Sequence, residues 1–289
     1  MALDAIILNE LMDFPRARQY FYQEIHQPED RIDLAKAALY LAQEEYPNLE
    51  HEEYLNALDT MASEVEARLP AERYPLRIVQ GLNQYLYDDL GFVGNRSDYY
   101  DPRNSFLNQV IDRRTGIPIT LSLIYLEIAR RIDFPMVGVG LPGHFLIRPE
   151  VPDMELFVDP FNQGETLFLE DCEERVARMY GPSVPFQPEF LHPVSPYHFL
   201  ARILANLKAI YLSQGDALRT LAATERILLL FPEALLEVRD RGLLYYHLDR
   251  WQLARQDLEQ YLDAMPEAED RFAIQQVLNR IAIRSSQSS

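Results

Sequence analysis

Apolar residues in the first quarter of the chain recur at helical spacing. Leu34, Ala37, Ala38 and Leu41 form one stripe, and Tyr54, Leu55, Leu58, Met61 and Val65 form a second. This is the i, i+3, i+4 pattern of an amphipathic helix. Acidic residues fill the remaining faces, and Pro70 and Pro75 interrupt the run. A further helix is expected over residues 76–86. The pattern then loosens. Residues 88–95 and 97–104, rich in Asp, Gly, Asn and Tyr, read as loops, and a short helix is expected over 105–113. From Thr115-Gly116-Ile117-Pro118 a long apolar helix runs to about residue 132. Pro118 sits in its first turn, where the missing N–H is not needed. Asp133-Phe134-Pro135 stops it.

Beyond Pro135 the period shortens toward two. Strands are expected over 136–140, 144–148, 155–159 and 166–169, and a helix over 170–179. A buried helix against antiparallel strands is an α+β core. Five prolines between residues 181 and 196 mark a connector. The last third repeats: Leu-Phe-Pro ends at Pro232 and Ala-Met-Pro at Pro266. Their separation is the period of a tetratricopeptide repeat, about 34 residues. Tyr211 matches Tyr245, and Leu228 matches Leu262. Gly242 and Ala254 supply small residues where two helices would approach; Lys208 and Thr220 stand there in the first, degenerate unit. A last helix over 269–283 would cap the stack. The expected organisation is a helical N-terminal part (1–75), a core (76–180), a proline-rich linker (181–196) and a short all-α repeat domain (197–289).

Charge changes this picture. The 289 residues carry 27 Lys+Arg against 45 Asp+Glu, a net charge of −18. Residues 197–289 are nearly neutral at −1, and residues 1–196 hold −17. Such a balance speaks against nucleic acid and anionic lipid as partners, because both are bound through lysine and arginine. Only Lys36 and Lys208 are lysines; the arginines that make up the rest suit planar pairs with carboxylates. The lone cysteine, Cys172, excludes an internal disulfide framework. With no signal segment legible after Met1 and no apolar run of spanning length, a cytoplasmic protein is expected. No pair of the six histidines has metal-ligand spacing, and no phosphate-cradling glycine loop is present. Neither a metal nor a cofactor is expected.

The stretch 104–148, with Asp159 beyond it, orders a helix N-terminus, a histidine at the start of a strand and an aspartate ending another strand. Cysteine-nucleophile enzymes use that order: the helix dipole lowers the thiol pKa, the histidine is the base and the aspartate orients it. The chain resembles the papain-type, transglutaminase-like family, and within it the SirB-type bacterial proteins, in which such a domain precedes tetratricopeptide repeats. The resemblance rests on Gly91-Phe92-Val93-Gly94-Asn95, Asn104-Ser105-Phe106-Leu107-Asn108, Arg113 through Ser122, Gly138 through Phe145, Asp159-Pro160-Phe161-Asn162 and Arg239-Asp240-Arg241-Gly242. It implies a papain/transglutaminase-like core followed by a repeat domain. It also implies that His144 and Asp159 stand where the family keeps its histidine and aspartate. The nucleophilic cysteine falls at Pro118, and Cys172 lies beyond the aspartate. Thr120 is the nearest hydroxyl that a surviving activity could use, with Ser122 after it.

A non-catalytic interaction or regulatory module, a pseudoenzyme with a protein or peptide partner, is therefore expected. The alternative is a hydrolase or acyltransferase using His144, Asp159 and a non-cysteine nucleophile. Arg113 and Arg114, two cations before a helix N-terminus, oppose its dipole and call for a negative partner. Either carboxylates such as Asp101 or Asp112 supply it, or a bound anion does. Asn104 and Asn162, in the resembling motifs, complete the candidate binding set. The oligomeric state stays open.

Overall fold

The computed structural model describes residues 14–142, 144–151, 154–181 and 185–287. The chain divides into two compact units, Met1–Leu200 and Ala201–Ser289. The first opens with helices α1 (Arg16–Ile25), α2 (Leu34–Glu45), α3 (His51–Arg68) and α4 (Pro75–Asn83). The apolar stripes anticipated on α2 and α3 are buried: Ala37, Ala38 and Leu41 on one, Leu55, Leu58, Met61 and Val65 on the other. Asp33 caps α2 by accepting the Lys36 N–H at 2.9 Å, which satisfies a donor left unpaired at the helix start. Helix α4 is shorter than expected and runs into a π-helical turn over Gln84–Asp89.

A two-residue strand β1 (Val93–Gly94) then pairs in parallel with β2 (Thr115–Gly116). Residues 88–95 carry no alternation, so this ladder was not legible as a strand. Between them lie a 3-10 turn, Pro102–Ser105, and α5 (Leu107–Arg113). The single helix expected over 105–113 is thus broken at Phe106, whose backbone is extended.

Helix α6 (Pro118–Arg131) is buried on every side from Pro118 to Ala129, as a helix apolar all round must be. Its one buried charge, Glu127, is met by Arg130 at 2.8 Å and by Arg131. Arg131 also reaches Asp59 of α3 at 2.6 Å. Against α6 lies an antiparallel sheet in the order β3-β4-β5-β6: Met136–Val139, Leu146–Pro149, Phe157–Asp159 and Glu165–Leu167. This is the α+β core expected. The strands are shorter than their sequence signals. β4 begins at Leu146, so His144 lies in the preceding turn, where its N–H donates to Leu141 O at 2.8 Å. Helix α7 (Leu169–Tyr180) follows β6. Residues 188–191 make a 3-10 turn, and the Val194 N–H donates to Gly138 O at 2.8 Å, which ties this proline-rich stretch to the β3 edge.

The remaining chain is helical: α8 (Pro196–Ser213), α9 (Ala217–Leu230), α10 (Leu235–His247), α11 (Trp251–Ala264) and α12 (Arg271–Gln287). The repeat register holds. A Cβ on Gly242 would come within 2.8 Å of Leu258 and 3.0 Å of Asp257, so α10 and α11 touch there because the residue is glycine. Its degenerate counterpart, Lys208, is used differently. Its ammonium donates to Glu237 at 2.6 Å and Asp240 at 2.7 Å, joining α8 to α10 by charge.

Candidate functional site

Asp159 ends β5 and is fully buried. Oδ1 accepts the N–H groups of Phe161 at 3.1 Å and Asn162 at 3.2 Å, which turns the chain into the 3-10 turn Pro160–Asn162. Oδ2 meets three side chains: His144 Nε2 at 2.8 Å, Asn162 Nδ2 at 2.6 Å and Arg175 Nη1 at 2.5 Å. Burial pushes this carboxyl up, and the hydrogen bonds from His144, Asn162 and Arg175 outweigh it and hold it below the usual carboxylate range. Arg175, on α7, donates its other end to Glu165 at 2.5 Å. His144, Asn162, Glu165 and Arg175 face a cleft of about 480 Å3, whose apolar wall is Leu141, Pro142 and Met179.

The histidine and aspartate of the sequence reading are therefore brought together. Thr120 does not join them. It is completely buried; its Oγ1 donates to Asn104 O at 2.7 Å and accepts the Ile117 N–H at 3.2 Å. Ile117, the N-cap of α6, has no side-chain acceptor, and Thr120 serves that end by accepting the Ile117 N–H and ties it to the Asn104 backbone. Ser122 is buried too, and its hydroxyl has no hydrogen-bond partner among the described residues. Cys172 is buried, and burial pushes its thiol up to about 11. A thiol so placed is a packing residue.

The remaining candidates divide. Arg113 is engaged by Asp101 at 3.4 Å, the carboxylate alternative of the two expected. Asp101 also holds Arg103 at 2.7 Å. Arg114, in the left-handed region at φ 53°, lays its guanidinium 4.8 Å from the centre of the Phe92 ring. Asn104 is fully buried and acts inside the fold: Nδ2 donates to Asp98 O at 2.8 Å and Tyr99 O at 3.2 Å, and Oδ1 accepts from Asn95 at 3.1 Å. It shapes the 95–104 loop. Asn162 alone of the four binding candidates faces the His144 cleft.

Two residues were missed from sequence. Arg175 is 16 positions from Asp159 and Arg96 is 66 from its partner Asn162, to whose Oδ1 it donates. Neither spacing has a helical or strand period that would flag it. Among the described residues, no group of three or more His, Cys, Asp or Glu could hold a metal ion, and no helix is long and apolar enough to cross a membrane.

Comparison with known proteins agrees with this architecture. Residues 52–205 match the model of the transglutaminase-like superfamily, and residues 207–279 match a tetratricopeptide repeat model. A UPF0162 protein of Xylella fastidiosa is 40% identical over 82% of this chain and 86% of its own length. A UPF0162 protein of Pseudomonas aeruginosa is 32% identical over 88% and 93%. Human F-box only protein 21 is 32% identical over 61% of this chain and 29% of its own. No solved structure matches. By its matched core, its repeat region and these relatives, the chain belongs to the transglutaminase-like superfamily.

Proposed function

We propose that this protein is a non-catalytic interaction module that binds a peptide or protein segment in the His144 cleft, with the repeat unit as a second partner-binding element. The observation that carries the reading is the triple occupation of Asp159 Oδ2. In a working base, the aspartate supports the positive charge that the histidine acquires on taking a proton. Here His144 shares that oxygen with Asn162 and with Arg175, whose guanidinium meets it at 2.5 Å. The hydroxyls and the thiol considered as nucleophiles are all committed or buried. What remains is a cleft whose lining mixes polar groups with Leu141, Pro142 and Met179, which suits a peptide. Repeat units of this kind build surfaces for partners. The order of a transglutaminase-like core before repeats is that of the SirB-type proteins, and a cytoplasmic setting accompanies the reading.

The hydrolase or acyltransferase reading draws on the 2.8 Å contact between His144 and Asp159. One experiment separates the two. The full chain is assayed for hydrolysis of p-nitrophenyl acetate and for capture of peptides from an array, alongside His144→Ala and the cleft-filling Pro142→Trp. The binding reading expects equal, unsaturable hydrolysis in all three and peptide capture lost in Pro142→Trp. Saturable hydrolysis that disappears in His144→Ala would overturn it.

A further inference from the structure

Beside the His144 cleft lies a second, smaller cavity of about 340 Å3, lined by Val93, Gly94, Arg96, Phe161, Asn162 and Gln163. Asn162 is a wall of both. Arg96 is exposed and has no carboxylate within ion-pair distance among the described residues, in contrast to Arg113 and Arg175. It is nevertheless held in place. Its guanidinium lies 5.3 Å from the centre of the Phe161 ring, and Nη2 donates to Asn162 Oδ1. Phe161 is itself wedged. Tyr99 meets it edge-on at 6.1 Å, and it lies so close over Gly94 that a Cβ there would come within 2.6 Å of the ring. A guanidinium stacked on one face and pinned at one nitrogen keeps further N–H donors for a ligand at little cost in ordering.

We propose that Arg96 is a carboxylate-binding residue that takes an Asp or Glu side chain of an extended peptide, whose neighbouring part occupies the His144 cleft. This rests on the peptide-binding reading of that cleft. The planar fork matches a carboxylate. Among the described residues Arg96 is the only cation lining the smaller cavity, so the site matches a monoanion better than a phosphate dianion. Asn162 couples the two cavities. Its oxygen accepts from Arg96 and its Nδ2 donates to Asp159 Oδ2, which also holds His144. Recruiting the Arg96 donors into a ligand pulls on the amide that positions Asp159 and His144.

The test is an NMR titration of the full chain, following the Arg96 Nε–H and the His144 ring signals. The probes are N-acetyl-glutamate amide, its neutral glutamine analogue and inorganic phosphate. The expected result is a saturable shift at Arg96 with the glutamate probe, none with glutamine, and weaker binding of phosphate. Read at the His144 ring signals, Arg96→Gln abolishes the response. Arg96→Lys, which keeps the charge and loses the fork and the stack, weakens it several-fold. In Asn162→Ala the His144 signals stop responding while Arg96 still does. No saturable shift at Arg96, an equal response to glutamine, or tighter binding of phosphate would overturn the proposal. Peptide capture distinguishes it from the reading on which it rests. Capture of acidic peptides that Arg96→Gln leaves unchanged would overturn the role of Arg96 and leave the cleft standing. Binding of the probe at Arg96 with no peptide captured would overturn the cleft reading and support the carboxylate site.

Discussion

At Asp159 the two carboxylate oxygens carry different loads. One turns the backbone at Phe161 and Asn162, and the other gathers His144, Asn162 and Arg175. A carboxyl held low in the folded state binds its proton later than it would in the unfolded chain, where an aspartate titrates near about 3.9. It therefore stabilises the fold above that pH, and the stabilisation is lost as pH falls through the lower folded-state value. Asp101, Asp216 and Asp270 are shifted in the same direction. Urea denaturation should accordingly show stability falling between about pH 5 and pH 2, with a shallower fall in Asp159→Asn. An unchanged slope in that variant would show that Asp159 is not one of the groups responsible. His144 and Asp159 were legible as a pair from the order of a helix start and two strands, although His144 falls in the turn before its strand. Arg175 was not, because an arginine on an acidic amphipathic helix looks like any solvated residue until the sheet brings Asp159 to it.

At the scale of elements, most of the fold could be read from periodicity. The stripes of α2 and α3, the apolar α6 with its proline start, and the 34-residue register of the repeats all correspond to real burial. The misses share a cause. The β1–β2 ladder is too short to alternate, the π-turn after α4 keeps an apolar spacing close to that of a helix, and the break at Phe106 has neither glycine nor proline to announce it. Gly242 tests the repeat assignment directly, since α10 and α11 meet where its side chain would be. Gly242→Val should destabilise the repeat unit by about 1–3 kcal/mol, the usual cost of overpacking a close contact. Thermal or denaturant unfolding followed by far-UV circular dichroism measures it. An increase in stability would mean that the helices separate without penalty and that the close approach is incidental.

Over the whole molecule, the charge of −18 acquires structure. Many arginines of the acidic unit are spent on its carboxylates: Arg18 on Glu44, Arg73 on Glu66, Arg131 on Asp59 and Glu127, Arg175 on Asp159 and Glu165. An acidic surface whose cations are so used has little to offer a phosphate backbone. The protein should show no mobility shift with duplex DNA at physiological salt. A shift that weakens steeply with added salt would reverse the exclusion drawn from composition. The sequence by itself determined the order of the main helices and of the four strands of the antiparallel sheet, the α+β class, the superfamily and the absence of a cysteine at the start of α6, because each is written in local period or residue identity. Only the tertiary structure decided which polar groups meet. It turned Thr120 to Asn104 and away from a nucleophile's role, set Arg175 on Asp159, paired Arg113 with Asp101 and left Arg96 stacked beside Asn162. Side-chain pairings of this kind join residues up to 72 positions apart, as Arg131 and Asp59 are. They are chosen by which strand ends and loops the core draws together, and a local pattern carries no record of that choice.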